Sequence, residues 1–181
     1  MALIVSTNTY LTLVEADDYV VSNYLSTSTE FTTWDALSDG DKEILLKGAT
    51  KRIDRQRIIG LKVYEAQSLS FPRTYTQPFT RSRLYSPSIV RYEGNWVVET
   101  SVANCVKEAQ VEEAISIAVL GNDGDANLRI ALQKQGVKSV KLGSMAETYI
   151  GVGQGFNTTR LESTTATELL QRYLTNSINI V

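Results

Sequence analysis

The run from Ser101 to Leu120, SVANCVKEAQVEEAISIAVL, constrains this chain more than any other stretch. It lacks Gly and Pro, and Val102, Val106 and Ala109 recur at i, i+4 and i+7, the spacing of one helix face. From Ala114 to Leu120 only Ser116 is polar, so this half is expected to be buried on nearly every side. Asn104, Lys107, Glu108 and Glu112 lie off the first stripe and are expected to face water. Gly121-Asn122-Asp123-Gly124 follows and stops the helix, because Gly adopts the left-handed cap without strain. A helix wet at one end and dry at the other is the central strut of a small domain, so the fold class predicted is mainly α. The expected architecture is a small helical bundle around residues 101–120, with a β-hairpin insertion at about 88–99 and a short β-hairpin at about 137–150.

The helices around that strut are marked by their caps. Thr12-Leu13-Val14-Glu15 fits a capping box and starts a helix reaching about Tyr24. Ser26–Thr33 is rich in Ser and Thr and reads as a polar loop. Ser38-Asp39-Gly40-Asp41 offers a second N-cap with acids in the first turn, where the helix dipole favours them. The helix it opens is expected over about Asp39–Arg57. Leu45, Ala49 and Ile53 share one of its faces; Lys47, Lys51 and Arg55, bordered by Arg52, share another. Such a basic stripe is a solvated face or a track for phosphates.

Residues 61–100 hold all three prolines, Pro72, Pro78 and Pro87, and read as irregular. A connection this long is functional or ordered by a partner. Within it, residues 88–92 and 95–99 flank Glu93-Gly94 as the arms of a hairpin. The mixture of Arg73, Arg81, Arg83, Arg91, Tyr92 and Trp96 fits a protein interface, where Arg and aromatic residues are enriched. It also fits a surface on which single-stranded bases stack. Further on, residues 126–135 are expected to form one short helix. Val137–Leu142 alternates as a strand, and residues 144–150 return beside it. The glycines Gly151, Gly153 and Gly155 match neither a dinucleotide fingerprint nor a P-loop, and read as a joint. After it, Thr164 or Thr165 caps a last helix, Ala166–Leu174. Leu169, Leu170, Tyr173 and Leu174 form its apolar stripe, and Ile178 and Ile180 follow in the tail. The division expected is a helical domain over 1–150, with an insertion at 61–100, and a joint plus docking arm over 151–181.

Chemistry is limited by what is missing. The chain has no His and one Cys, Cys105, which removes the usual general base, an intrachain disulfide and any multi-Cys zinc site. Asp17-Asp18 and Glu112-Glu113 are neighbours within helices and diverge by about 100°, so neither makes a facing carboxylate pair. The chain is therefore expected to be no enzyme and to carry no cofactor or metal, and it holds no apolar run of membrane-spanning length. The net charge of −2 is unevenly spread. Residues 1–46 carry eight acids and one Lys, a balance of −7. Residues 47–92 carry ten Lys or Arg against two acids, a balance of +8. A basic middle beside an acidic start serves nucleic acid, or an acidic neighbouring copy of the same chain.

Several segments resemble a known family. Tyr10–Tyr19, YLTLVEADDY, is similar to the opening SYxSLxEADxY of tailed-phage head-tail adaptors, also called head completion or neck proteins. Trp34-Asp35-Ala36-Leu37, Asp41-Lys42-Glu43 and Leu46–Asp54 resemble that family's WxALSDxDKExALIxATxxID. Gly60 with Gln67–Arg73 is similar to its G…QxLxWPR, and Val106–Ala114 to its IPxxVKxAxxExA. Val137–Tyr149 and Leu169–Leu174 resemble its VKSxKVGSxxxxY and LLxPYL. Ala103, Phe71 and Arg172 depart from the pattern, at positions where it has Pro, Trp and Pro.

The resemblance implies a homo-oligomeric ring, of twelve copies, in the virion neck at the head-tail interface, assembled in the host cytoplasm. Its partners would be the portal protein and a tail terminator or second neck protein, with double-stranded DNA passing non-specifically through the lumen. On this reading Leu169, Leu170, Tyr173, Leu174, Ile178 and Ile180 would dock on the portal. The alternative is a single-stranded-DNA-binding replication accessory protein, since some relatives are likened to a primosomal protein of that kind.

Overall fold

In the computed structural model the described residues are 2–76, 96–122, 139–142, 145–148 and 161–174. Among the described residues five helices carry the fold: α1 Leu13–Asn23, α2 Thr29–Asp35, α3 Asp39–Asp54, α4 Asn104–Asn122 and α5 Thr164–Leu170. The chain is mainly helical, as its periodicity requires. Around α4 lie two apolar clusters. One face packs Val106 and Ala109 with Tyr10, Ile53, Phe71, Leu170 and Tyr173. The other packs Val111, Ala114 and Ile115 with Val20, Trp34 and Leu46. A strut buried on both sides explains the nearly all-apolar second half of α4.

The caps form where the sequence places them. Thr12 Oγ1 accepts from Glu15 N–H, and the Glu15 carboxylate accepts from Thr12 N–H at 2.7 Å, closing the capping box of α1. Ser38 Oγ accepts from Asp41 N–H and opens α3. The loop expected at 26–33 is instead entered by a helix. Ser28 caps α2, which is held down by buried Trp34, whose indole N–H donates to Asp17 of α1 at 2.8 Å. The last helix is also capped earlier than expected, by Ser163, and ends at Leu170.

Three short strands form one sheet in the order β1-β2-β3: β1 Leu61–Lys62, β2 Arg73–Thr76 and β3 Trp96–Val98. Both pairings are antiparallel, with Leu61 opposite Thr74 and Thr74 opposite Val98. Of the hairpin expected from 88–92 with 95–99, the second arm is present as β3 and pairs with Arg73–Thr76; its first arm, 88–92, lies outside the described residues. Gly60 turns the chain from α3 into this sheet. Its φ is +77°, and a Cβ there would stand 2.2 Å from the Thr74 carbonyl oxygen, so only Gly fits. The hairpin expected near 137–150 is present as β4 Ser139–Leu142 paired antiparallel with β5 Met145–Thr148. The helix expected at 126–135 and the glycine joint lie outside the described residues.

Candidate interaction surfaces

A surface can be assigned only after the charged side chains used by the fold itself are identified. Gln110 sits wholly buried on α4 and joins three segments. Its carbonyl accepts from Tyr10 N–H, and its amide donates to Thr9 Oγ1 and to the Leu46 carbonyl. Glu112, expected to face water, is buried and accepts from the hydroxyls of Tyr19 and Tyr24, each at 2.8 Å. Burial and this carboxylate raise both phenol pKa values, so the hydroxyls stay donors. Glu113 is 0 % exposed and accepts from Arg52 at 3.0 Å and from the backbone N–H groups of Glu162 and Ser163. Asp54, its pKa raised by burial, accepts from the Tyr10 hydroxyl. Two adjacent Glu side chains on one helix are therefore both structural, one facing each flank.

Arg73 belongs to the same framework and not to an exposed interface, which corrects the expectation for this residue. Only 8 % of it is exposed, and its guanidinium donates to the carbonyls of Ile58, Ile59, Gly60 and Ser70. Its backbone N–H donates to Glu99 at 3.0 Å, and Glu99 also accepts from the Tyr173 hydroxyl. The planar five-donor fork of Arg holds a turn together in a way an ammonium cannot. Arg73→Lys is accordingly expected to lower stability by about 2 kcal/mol, from lost hydrogen bonds to a charged donor, read as a shift of the urea midpoint at constant m-value. Trp96 lies on β3. Arg81, Arg83, Arg91 and Tyr92 lie outside the described residues.

The C-terminal stripe is placed just as firmly. Leu170 and Tyr173 are in the core, and Leu169 and Leu174 pack against it. Tyr173 stacks edge-on with Phe71 at 4.8 Å and with Tyr75 at 5.7 Å. Ile59 N–H donates to the Tyr173 carbonyl at 2.8 Å. Residues 164–174 therefore close the chain's own core, and the docking arm expected there is corrected. A seven-residue helix cannot stand free in water, and the nearest apolar surface is its own domain. Ile178 and Ile180 lie outside the described residues.

Two of the four cations on the basic stripe of α3, Lys47 and Arg52, are paired within the chain. Lys42 is buried against Asp17 at 3.0 Å, Lys47 pairs with Glu43 one turn earlier, and Arg52 pairs with Glu113 and Glu162. Lys51 and Arg55, one turn apart, remain exposed. Large apolar side chains are exposed elsewhere. Val14 and Val21 are 68 % and 69 % exposed on one stripe of α1, and Leu25 just beyond the helix is 77 % exposed. On the small sheet, Leu61 and Val98 are 65 % and 58 % exposed.

An open hollow of about 700 Å³ lies between the N-terminal segment, residues 64–72 and the start of α4, lined in part by Tyr10, Tyr64, Gln67, Phe71 and Lys107. Lys107 is itself paired with Glu15 at 2.7 Å, which holds the Glu15 carboxyl below its usual range. Among the described residues no group of three or more Cys, Asp or Glu side chains is placed to hold a metal ion. Nor is any described helix long and apolar enough to cross a membrane.

Residues 1–181, the full length, match the family described as "Putative DnaT-like ssDNA binding protein". The chain belongs to this family. No curated protein and no solved structure matches it. Of the side chains picked out from the sequence, Arg73, Leu170 and Tyr173 meet in one place, but that place is the core. The exposed stripes on α1 and on the small sheet were not singled out, although Val14, Val21 and Leu25 recur at i, i+7 and i+11 and so signal an outer apolar face.

Proposed function

We propose that this DnaT-like family member is an assembly subunit, a head-tail adaptor forming a ring between portal and tail components of a phage neck. One observation carries the reading: large apolar side chains stand exposed on one stripe of α1 and on the small sheet, while Lys42, Lys47, Arg52 and Arg73 are paired or buried within the chain. Exposed apolar residues that recur on one face mark protein contacts. The six motif segments that resemble phage adaptors point the same way. Such a role asks for no catalytic group, and the ring of twelve, its portal and tail partners and the DNA in its lumen belong to this proposal.

The second reading is a single-stranded-DNA-binding accessory protein, and the family's own description supports it directly. Lys51 and Arg55 would then begin its phosphate track. The two readings separate in one pair of measurements on the purified chain. Anisotropy of a labelled oligo-dT is followed at low and rising salt, and negative-stain symmetry is recorded with and without portal. The adaptor reading expects symmetric rings and no tight oligonucleotide binding. Tight binding that weakens linearly in log salt, with no ring under either condition, would establish the DNA-binding reading instead.

A further inference from the structure

Two exposed apolar surfaces of this chain are bounded by charges of opposite sign. The first is the outer stripe of α1, Val14 and Val21, continued by Leu25. Asp17 on α1 accepts from both Trp34 of α2 and Lys42 of α3, which fixes this stripe beside the end of α2 and the first turns of α3. The same three helices carry exposed acids: Asp18 on α1, Asp35 closing α2 and Asp39 opening α3, none of them in an ion pair among the described residues. Ile44, also largely exposed, lies one turn further along α3.

The second surface is at the other end of α3. Leu61, Thr74 and Val98 are direct partners across β1, β2 and β3, so they share one face of the sheet in a row spanning about 10 Å. Tyr75, next to Thr74, points the opposite way and packs on Tyr173, which leaves the Leu61–Val98 row as the outer face. Arg55 caps the C-terminus of α3 six residues before Leu61, and Lys51 precedes it by one turn. Arg73 ties the carbonyls of Ile58, Ile59 and Gly60 to β2, which keeps this cationic end of α3 against the sheet. The two surfaces are separated by the length of α3, about 24 Å for its 16 residues.

We propose that these two surfaces are complementary halves of one contact between copies of the chain. The sheet row Leu61–Val98 with Lys51 and Arg55 of one copy lies on the α1 stripe with Asp18, Asp35 and Asp39 of the next. The inference rests on the assembly reading above and deepens it by naming the subunit faces. Charge complementarity selects the occupant: this chain itself supplies an apolar face of each sign. Because the two faces are different surfaces at opposite ends of α3, the contact is head-to-tail and not two-fold. Such a contact repeats from copy to copy and gives a ring where its rotation closes.

A charge swap tests it. One full-length variant carries Asp18→Lys and Asp39→Lys; the other carries Lys51→Glu and Arg55→Glu. All four sites are exposed, and an unchanged melting temperature confirms that each variant folds. Oligomer mass is measured by native mass spectrometry in the condition where the wild-type chain assembles. Each variant alone is expected to lose association at least tenfold, and the equimolar mixture to regain it, since every altered face then meets its opposite. Variants that assemble like wild type, or a mixture that stays monomeric, overturn the assignment of faces while leaving the assembly reading standing. A wild-type chain that stays monomeric at low salt, with and without portal, overturns both.

Discussion

Deleting residues 165–181 is expected to abolish cooperative unfolding of the whole chain, not merely to remove an accessory arm. The deletion takes Ala166, Leu170 and Tyr173 out of a core in which each is at most 1 % exposed. It removes the Tyr173 ring that stands edge-on to Phe71 and Tyr75 and leaves the Ile59 N–H without its acceptor. Large-to-small changes at single buried Leu or aromatic positions cost about 2–5 kcal/mol each. Losing two such side chains together approaches the roughly 5–15 kcal/mol that stabilises a domain of this kind. Near-UV circular dichroism should lose its fixed signal, and urea unfolding should lose its sigmoid. A truncated chain that melts like the full one would show that α5 contributes nothing to the core, contrary to its packing.

Glu113→Ala is expected to be the most damaging single change of a polar residue. The carboxylate is fully buried and holds three donors from two separate segments: the Arg52 guanidinium of α3 and the N–H groups of Glu162 and Ser163. Truncation leaves two backbone donors facing the core without acceptors, and it unties α5 from α4. Arg52 keeps Glu162 at 3.1 Å, and its partial exposure limits its own share of the loss. Hydrogen bonds to a charged group contribute about 1.5–3 kcal/mol and orphaned buried donors cost further, so a loss of about 3 kcal/mol is expected. For a chain of this length that corresponds to a fall in Tm of roughly 6–12 °C. Glu113→Gln should fall between, because one carbonyl oxygen can still accept while its amide faces a donor. Calorimetry on the three proteins orders them, and a Gln variant worse than the Ala variant would mean that the site is limited by space and not by donors.

The sequence by itself determined what depends on neighbours along the chain. The reciprocal bonds of Thr12 and Glu15 and the cap of Ser38 are local, and they form as the residue types require. The central helix follows from its period, and β4 from its alternation of polar and apolar residues. Helix α2 is not legible in Ser26–Thr33, which reads the same as a loop; Trp34, buried against Asp17, holds its seven residues helical. Tertiary structure decided the rest. Leu169, Leu170, Tyr173 and Leu174 make one apolar stripe whether the helix docks on a partner or on its own core, and the pairing of Ile59 with Tyr173 resolves it. Arg73 and Lys51 are both cations in a basic stretch, yet one is buried among four carbonyls and the other faces water. Helical period places Glu112 and Glu113 on different sides of α4, but it carries no record of the tyrosines and the α5 backbone that meet them there. A charge or an apolar stripe takes its role from the partner across space, and for Glu112 and Glu113 that partner lies roughly 50 to 90 positions away in sequence.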